Sequence, residues 1–494
     1  MGIIIKQSIK GTIWSYLGVV VGFVTTAYLY PNFLTPEIVG LFGLLLSYAL
    51  LFAQISSLGI NGVTNRLFPY FRNEKTGHNG YLFIAFIVAA VGFIFFLITY
   101  YLFSPWLIRS NVEKSKLFAD YAYLLIPLTL FSMLFTLLDV YNKLLYNTVF
   151  GTFLQEFLQR VLIFGVVAVY ALELININML VLFFVAAICA KAVVILIHLY
   201  SQGKLNLKPN FGFVSKELHK EMISVAIYSI LVGAGYGLVF NIDKIIINQM
   251  MGLKVTGVYT IAFFFGSLVL IPSRPLLRIS GSLIAEAWKR EDKKYIFDIY
   301  RRSSINQLII AAFLFGGIWI NIDNILTILG PEYTESKWVI FFIGLGSLSN
   351  MSIGANGQVI GYSKYYKISL YFLLVLILLV VISMVIFIPV WGIVGAAAGM
   401  AVAFIANNLM KYYFLYKKFN MQPFTFKTLL VPFAFIVAYF TGNLLCQQQL
   451  IIDILIRSTI FTVVFSGLVI GLNISDEVNK IYVLTITTVK NYFS

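Results

Sequence analysis

The chain has 494 residues, 60% of them hydrophobic and only 11% charged, with a formal net charge of +15. A soluble domain carries about 25% charged residues, so this composition, with mean hydropathy +0.91, excludes an ordinary water-soluble globule. The apolar residues fall in runs long enough to cross a hydrocarbon core about 30 Å thick, which takes about 20 residues per helix.

Taken in order, the runs predict about 14 transmembrane helices. They cover residues 12–33, 39–61, 81–104, 119–140, 153–173, 178–200, 222–249, 256–283, 303–322, 337–360, 366–388, 392–416, 428–446 and 453–472. The expected fold is an all-α polytopic membrane protein: two six-helix lobes around a central cavity, plus two C-terminal helices. The lobes are placed at 1–205 and 206–420, with helices 13 and 14 and a cytoplasmic tail in 421–494. The lobe division rests on a faint repeat. LTPEIVGLFGLL precedes the second span and MGLKVTGVYTIA precedes the eighth, each with a β-branched residue, a glycine, an apolar residue and an aromatic. Two such repeats around one site is a known transporter plan.

Even-numbered connections are basic, with Arg66, Arg72, Lys75, Lys143, Lys204, Lys208, Lys216 and Lys220 among their residues. Odd-numbered ones hold only Arg109, Lys114, Lys116, Lys254 and Lys337. By the positive-inside rule both termini are expected in the cytoplasm. Outer connections such as ELINI and IPVWG are too short to fold by themselves. The basic stretch 286–302 reads as an amphipathic segment lying on the inner surface. No GxxxxGK[ST] occurs, so ATP does not drive the protein directly. Cys189 and Cys446 lie in apolar runs and read as packing residues, with no metal or cofactor implied. The positive charge is topological and does not imply nucleic acid.

The ionisable residues inside the spans carry the functional signal, because each costs roughly 2.5–3.5 kcal/mol at the bilayer centre. In GLVFNIDKIIINQM (237–250), Asn241, Lys244 and Asn248 continue a stripe begun by Gly233 and Gly237. That stripe must face protein or a water-filled cavity. Asp243 is turned about 100° away, so it does not simply pair with Lys244 on that face. Arg274 and Arg278, four apart in LIPSRPLLRISGS beside Pro272 and Pro275, suit a phosphate. Snorkelling to the inner surface is the competing account of both. Arg160 can pair with Glu156 within its helix, while Lys191 has no neighbouring acid and must face a cavity or a partner helix. Arg66 sits at the inner mouth of the second span, where a topological anchor explains it equally well. Asn350, Asn356 and Gln358, amid glycines, mean close helix packing or a sugar-contacting wall. The intramembrane charge is in surplus positive, which favours an anionic cargo.

In KGTIWSYLGVVVGFVTTAYLYPNFLTPEIVGLFGLL, SLGINGVTNRLFPYF, NIDKIIINQMMGLKVTGVY and IPVWGIVGAAAG, the chain resembles bacterial polysaccharide or O-antigen flippases of the multidrug/oligosaccharidyl-lipid/polysaccharide exporter superfamily. The resemblance covers nearly the whole chain. It implies fourteen helices, two lobes, a V-shaped cavity and export of a lipid-linked sugar for surface polysaccharide such as O-antigen lipopolysaccharide. It also implies an acid followed by a base at Asp243 and Lys244, and a base at Arg66. The expected cargo is an undecaprenyl-diphosphate oligosaccharide met in the membrane lipid, with no bond made or cut; coupling to protons or sodium stays open. A cation-coupled multidrug exporter is the second reading, and a membrane glycosyltransferase or polymerase the third. The drug exporter would favour an acidic cavity. The enzyme would need catalytic acids in a large outer loop, and Glu332 and Glu335 are the only acid pair in one.

Overall fold

The computed structural model describes residues 2–112, 114–444 and 449–493, so Cys446 lies outside the described residues. Among them every regular element is a helix and no strand occurs. Among the described residues twelve helices are long and apolar enough to cross a membrane, or thirteen if one bent pair is a single span. By internal contacts the chain divides into two compact units, 1–260 and 261–494.

The first unit contains α1 (Lys10–Phe33), α2 (Pro36–Ser56), α3 (Ile60–Phe71), α4 (Tyr81–Val112), α5 (Lys116–Leu144), α6 (Thr148–Ala171), α7 (Ile177–Ser201) and α8 (Lys216–Met251). It also holds the start of α9 (Leu253–Leu270). Polar side chains set several starts by accepting orphan backbone N–H groups. Asn176 accepts from Met179 at α7, and Ser215 from Leu218 at α8. Close helix approach in this unit depends on small residues. A Cβ on Gly18 of α1 would sit 1.7 Å from the carbonyl oxygen of Glu156 on α6, and one on Gly92 of α4 1.9 Å from that of Ser56. Phe68, Phe71, Tyr81 and Tyr141 form a buried aromatic core in this unit, with the Tyr81 hydroxyl donating to Thr64 Oγ1 at 2.8 Å. The contacts thus place α8, the seventh expected span, with the first unit.

The second unit contains α10 (Ser273–Lys289), α11 (Lys293–Ile320), α12 (Ser336–Ser352), α13 (Asn356–Tyr362), α14 (Ile368–Phe419), α15 (Phe426–Asn443), α16 (Leu450–Gly471) and α17 (Asp476–Phe493). Two expectations change here. The run 256–283 is not one helix: a 310 turn at Leu268–Leu270 and Pro272 divide it between α9 and α10. The expected surface segment 286–302 is instead the last turn of α10, a short turn at Arg290 and Glu291, and the first turns of α11, whose N-cap is Asp292. A cap and an uninterrupted helical stretch outweigh the charge pattern.

α12 and α13 form the bent pair, at 50°, around Gly354. Its φ of +58° and its Cβ position, 2.5 Å from the Ser304 amide nitrogen, both require glycine. The 52-residue α14 is a hairpin. It reverses at Gly392 (φ 58°, ψ −136°), three residues after Pro389. Ser383 Oγ then donates to the carbonyl of Gly399 at 2.9 Å, across the fold. Counting the bent pair as one span and the hairpin as two yields the expected fourteen crossings. The last two, α15 and α16, pack on α11 through Phe461, Phe465, Val431 and Ala434.

Candidate functional site

Asp243 is fully buried in α8. One carboxylate oxygen accepts the backbone N–H of Lys244 at 2.9 Å, and the other accepts the hydroxyl of Tyr259, on α9, at 3.0 Å. The Lys244 ammonium lies 3.8 Å from the first oxygen. The two lie within ion-pair distance, which corrects the separation expected from helical geometry. Through Tyr259, Asp243 also reaches the neighbouring helix α9.

The glycine-polar stripe of α8 is a packing seam. A Cβ on Gly233 would lie 2.0 Å from Gln54 Nε2, and Lys244 Cδ is 3.5 Å from the Cβ position of Gly43, both on α2. Asn241 Nδ2 donates to the carbonyl of Gly237 at 2.9 Å. Asn248 donates to Asn111 Oδ1 and accepts from Ser115 Oγ, each at 2.6 Å.

A second group of polar side chains joins α5, α6 and α7. Arg160 Nη2 binds Glu156 Oε2 at 2.9 Å, one turn apart, just beyond a π-helical turn at Phe153–Leu158. The Arg160 stem lies against Gly22 of α1. Buried Lys191 donates to Gln159 Oε1 at 2.9 Å and stands 4.7 Å over the Phe135 ring. Its isolation in sequence ends in the fold, where an amide and an aromatic face take the place of an acid. Asp139 and Glu156 also act on it through space.

Arg66 is exposed on α3. Arg72, which the sequence offered only as a topological base, is more firmly held. It donates to the carbonyl of Leu144 at 2.7 Å and stacks on Tyr146 at 4.7 Å. In the second unit Arg274 and Arg278 are exposed one turn apart on α10, directly after the break in the eighth span. Asn350 Oδ1 accepts from Asn408 Nδ2 at 2.8 Å, so that amide packs between helices. No group of three or more His, Cys, Asp or Glu side chains gathers among the described residues.

Sequence reasoning missed Tyr259, Gln159 and Phe135, uncharged partners of Asp243 and Lys191. It also missed Asp453 and Arg457 of α16, paired at 2.6 Å, with Asn324 Nδ2 donating to the same carboxylate oxygen at 2.6 Å. Their four-residue spacing was legible, but it lies at the edge of an apolar run.

The family model described as "Polysaccharide biosynthesis protein" matches residues 8–284. No curated protein sequence matches the chain. Among solved structures it is similar to a lipid II flippase, MurJ, in an inward closed conformation. There the TM-score is 0.75 at 13% identity, over 94% of this chain and 99% of that one. It is also similar to a multidrug resistance MATE family transporter in an inward-facing conformation. That match has a TM-score of 0.60 at 13% identity, over 81% of this chain and 97% of the other. At such identities the likeness is one of fold.

Proposed function

The chain belongs to the polysaccharide biosynthesis protein family, and on that premise we propose that it flips an undecaprenyl-diphosphate-linked oligosaccharide across the bacterial inner membrane for surface polysaccharide. The observation that carries this reading is the sign of the charges held within the spans. In the first unit Arg160, Lys191 and Lys244 stand against Glu156 and Asp243, the further acid Asp139 being paired with Lys143, and just past the end of the eighth span Arg274 and Arg278 add two exposed bases in the second unit. Charge at membrane depth is costly and marks cargo pathways. Surplus bases suit a diphosphate, and arginine can grip one with paired hydrogen bonds.

Transport proceeds by alternating access of two lobes, 1–205 and 206–420, without bond chemistry; coupling to protons or sodium is compatible with this cycle. In that division α8 and α9 belong to the second lobe and pack on α2 of the first. The Lys/Arg asymmetry supports cytoplasmic termini. The resemblance in fold to a lipid II flippase supports a lipid-linked cargo. The fold neighbour of the MATE family favours drug export as the second reading.

The test reconstitutes the full chain in vesicles with a lectin-readable undecaprenyl-diphosphate oligosaccharide on the inner leaflet. Appearance of the sugar outside, abolished by Arg274→Ala, is the expected result. Ethidium transport without sugar movement would give the role to drug export instead.

A further inference from the structure

A cavity of about 520 Å³ lies between the start of α4 and the start of α8, at the opposite end of α8 from Asp243 and Lys244. Its wall is apolar, with Ile84, Ile87 and Val88 one to two turns into α4. Its rim is basic: Lys216, His219 and Lys220 line it from the first two turns of α8. These three are spaced i, i+3 and i+4, so they share one face of the helix. Glu217 and Glu221 each follow a base by one residue, about 100° round, and do not line the cavity.

Bases alone would be a topological anchor, and an apolar slot alone would accept any chain. Joined at one membrane face, they fit a molecule with an anionic head and a hydrocarbon tail. Basic pockets between spans on the positive side of a membrane protein take lipid phosphates in this way. α8 adds its own helix N-terminus at the rim, where the macrodipole favours negative charge. The lysine stems can lie along the slot with their ammonium groups at headgroup level.

We propose that this cavity binds one anionic glycerophospholipid of the bilayer, its phosphate on Lys216 and Lys220 and one acyl chain against Ile84 and Val88. The site is separate from the transported cargo and independent of the transport reading. A seated lipid would join α4 to α8 at the membrane surface.

The test is native mass spectrometry of the detergent-solubilised full chain, titrated with dioleoylphosphatidylglycerol, dioleoylphosphatidylcholine or glycerol phosphate. Phosphatidylglycerol should bind first and most tightly. Lys216→Gln with Lys220→Gln should weaken it on the order of thirtyfold, the factor two surface bases contribute. Lys216→Arg with Lys220→Arg should retain it. Val88→Trp, which fills the slot and spares the charges, should weaken both lipids and keeps the test open if the double glutamine variant does not fold. Equal binding of the two lipids, full binding by the glutamine variant, or equal binding of chain-free glycerol phosphate would overturn the proposal. Preferential displacement of phosphatidylglycerol by undecaprenyl phosphate would also overturn it, since the occupant would then be a polyprenyl lipid.

Discussion

Gly40 and Gly257 lie backbone to backbone: a Cβ built on either one comes 3.0 Å from the amide nitrogen of the other. They are the glycines of the two repeated stretches, PEIVG and LKVTG, at the starts of α2 and α9. The same Cβ positions fall 2.2 Å from the carbonyl of Leu253 and 1.8 Å from that of Pro36. Only glycine permits helices to approach this closely. Gly40→Ala and Gly257→Ala should each lower stability by about 1–3 kcal/mol, the usual cost of overpacking. Gly317→Ala, with open space around its Cβ position, should be silent. Thermal unfolding of the three purified variants checks this, and an unchanged Gly257→Ala would mean the two helices separate freely.

The Asp243 carboxylate has Lys244 on one oxygen and Tyr259 on the other. Removing one charge of a buried pair strands its partner. Asp243→Ala and Lys244→Ala should each lower export, and the double variant should lose less than the sum. Tyr259→Phe should cost about 1.5–3 kcal/mol, the range for a hydrogen bond to a charged group. Surface polysaccharide at matched membrane abundance, with melting curves, reads both effects. Strict additivity would show that the two charges act apart.

Arg274 and Arg278 are exposed on α10, so their loss should spare folding. Arg274→Ala should leave membrane abundance normal and stop surface polysaccharide. Arg274→Lys should rescue only in part, because an ammonium cannot fork two bonds to a phosphate. Normal export by the Ala variant would remove this residue from the anion path.

The pair Asp453 and Arg457 is almost fully enclosed, with 4% and 13% of the side chains exposed. Asp453→Ala strands the guanidinium and should cost about 3 kcal/mol or more. Asp453→Leu with Arg457→Met should recover most of that loss. Failure to recover would show that Asn324 and the other polar neighbours need the charges themselves.

A reporter active only in the periplasm, fused after Ser494, should stay silent. Activity there would overturn cytoplasmic termini.

The sequence by itself determined the class of the molecule and most of its crossings. Composition and run length suffice for that, because the bilayer sets the length of a spanning helix whatever it packs against. The turn at IPVWG was legible too, since proline and glycine punctuate a run that would otherwise be one 52-residue helix. The break at Leu268–Leu270 was only half legible: the prolines showed where the backbone weakens, but not that the span ends there. What the tertiary structure alone decided is which side chain faces which. Helical periodicity placed Gly233, Gly237 and Lys244 on one stripe, yet both a cavity wall and a packing seam satisfy that pattern. It could not show that α2 lies opposite, nor that Tyr259 completes the Asp243 site from sixteen residues away. The reason is physical. In a membrane, residues that face lipid are as apolar as those that face another helix. Hydropathy therefore locates the spans but does not identify their neighbours, and a buried charge can be partnered by an uncharged tyrosine, glutamine or phenylalanine that no charge pattern reveals.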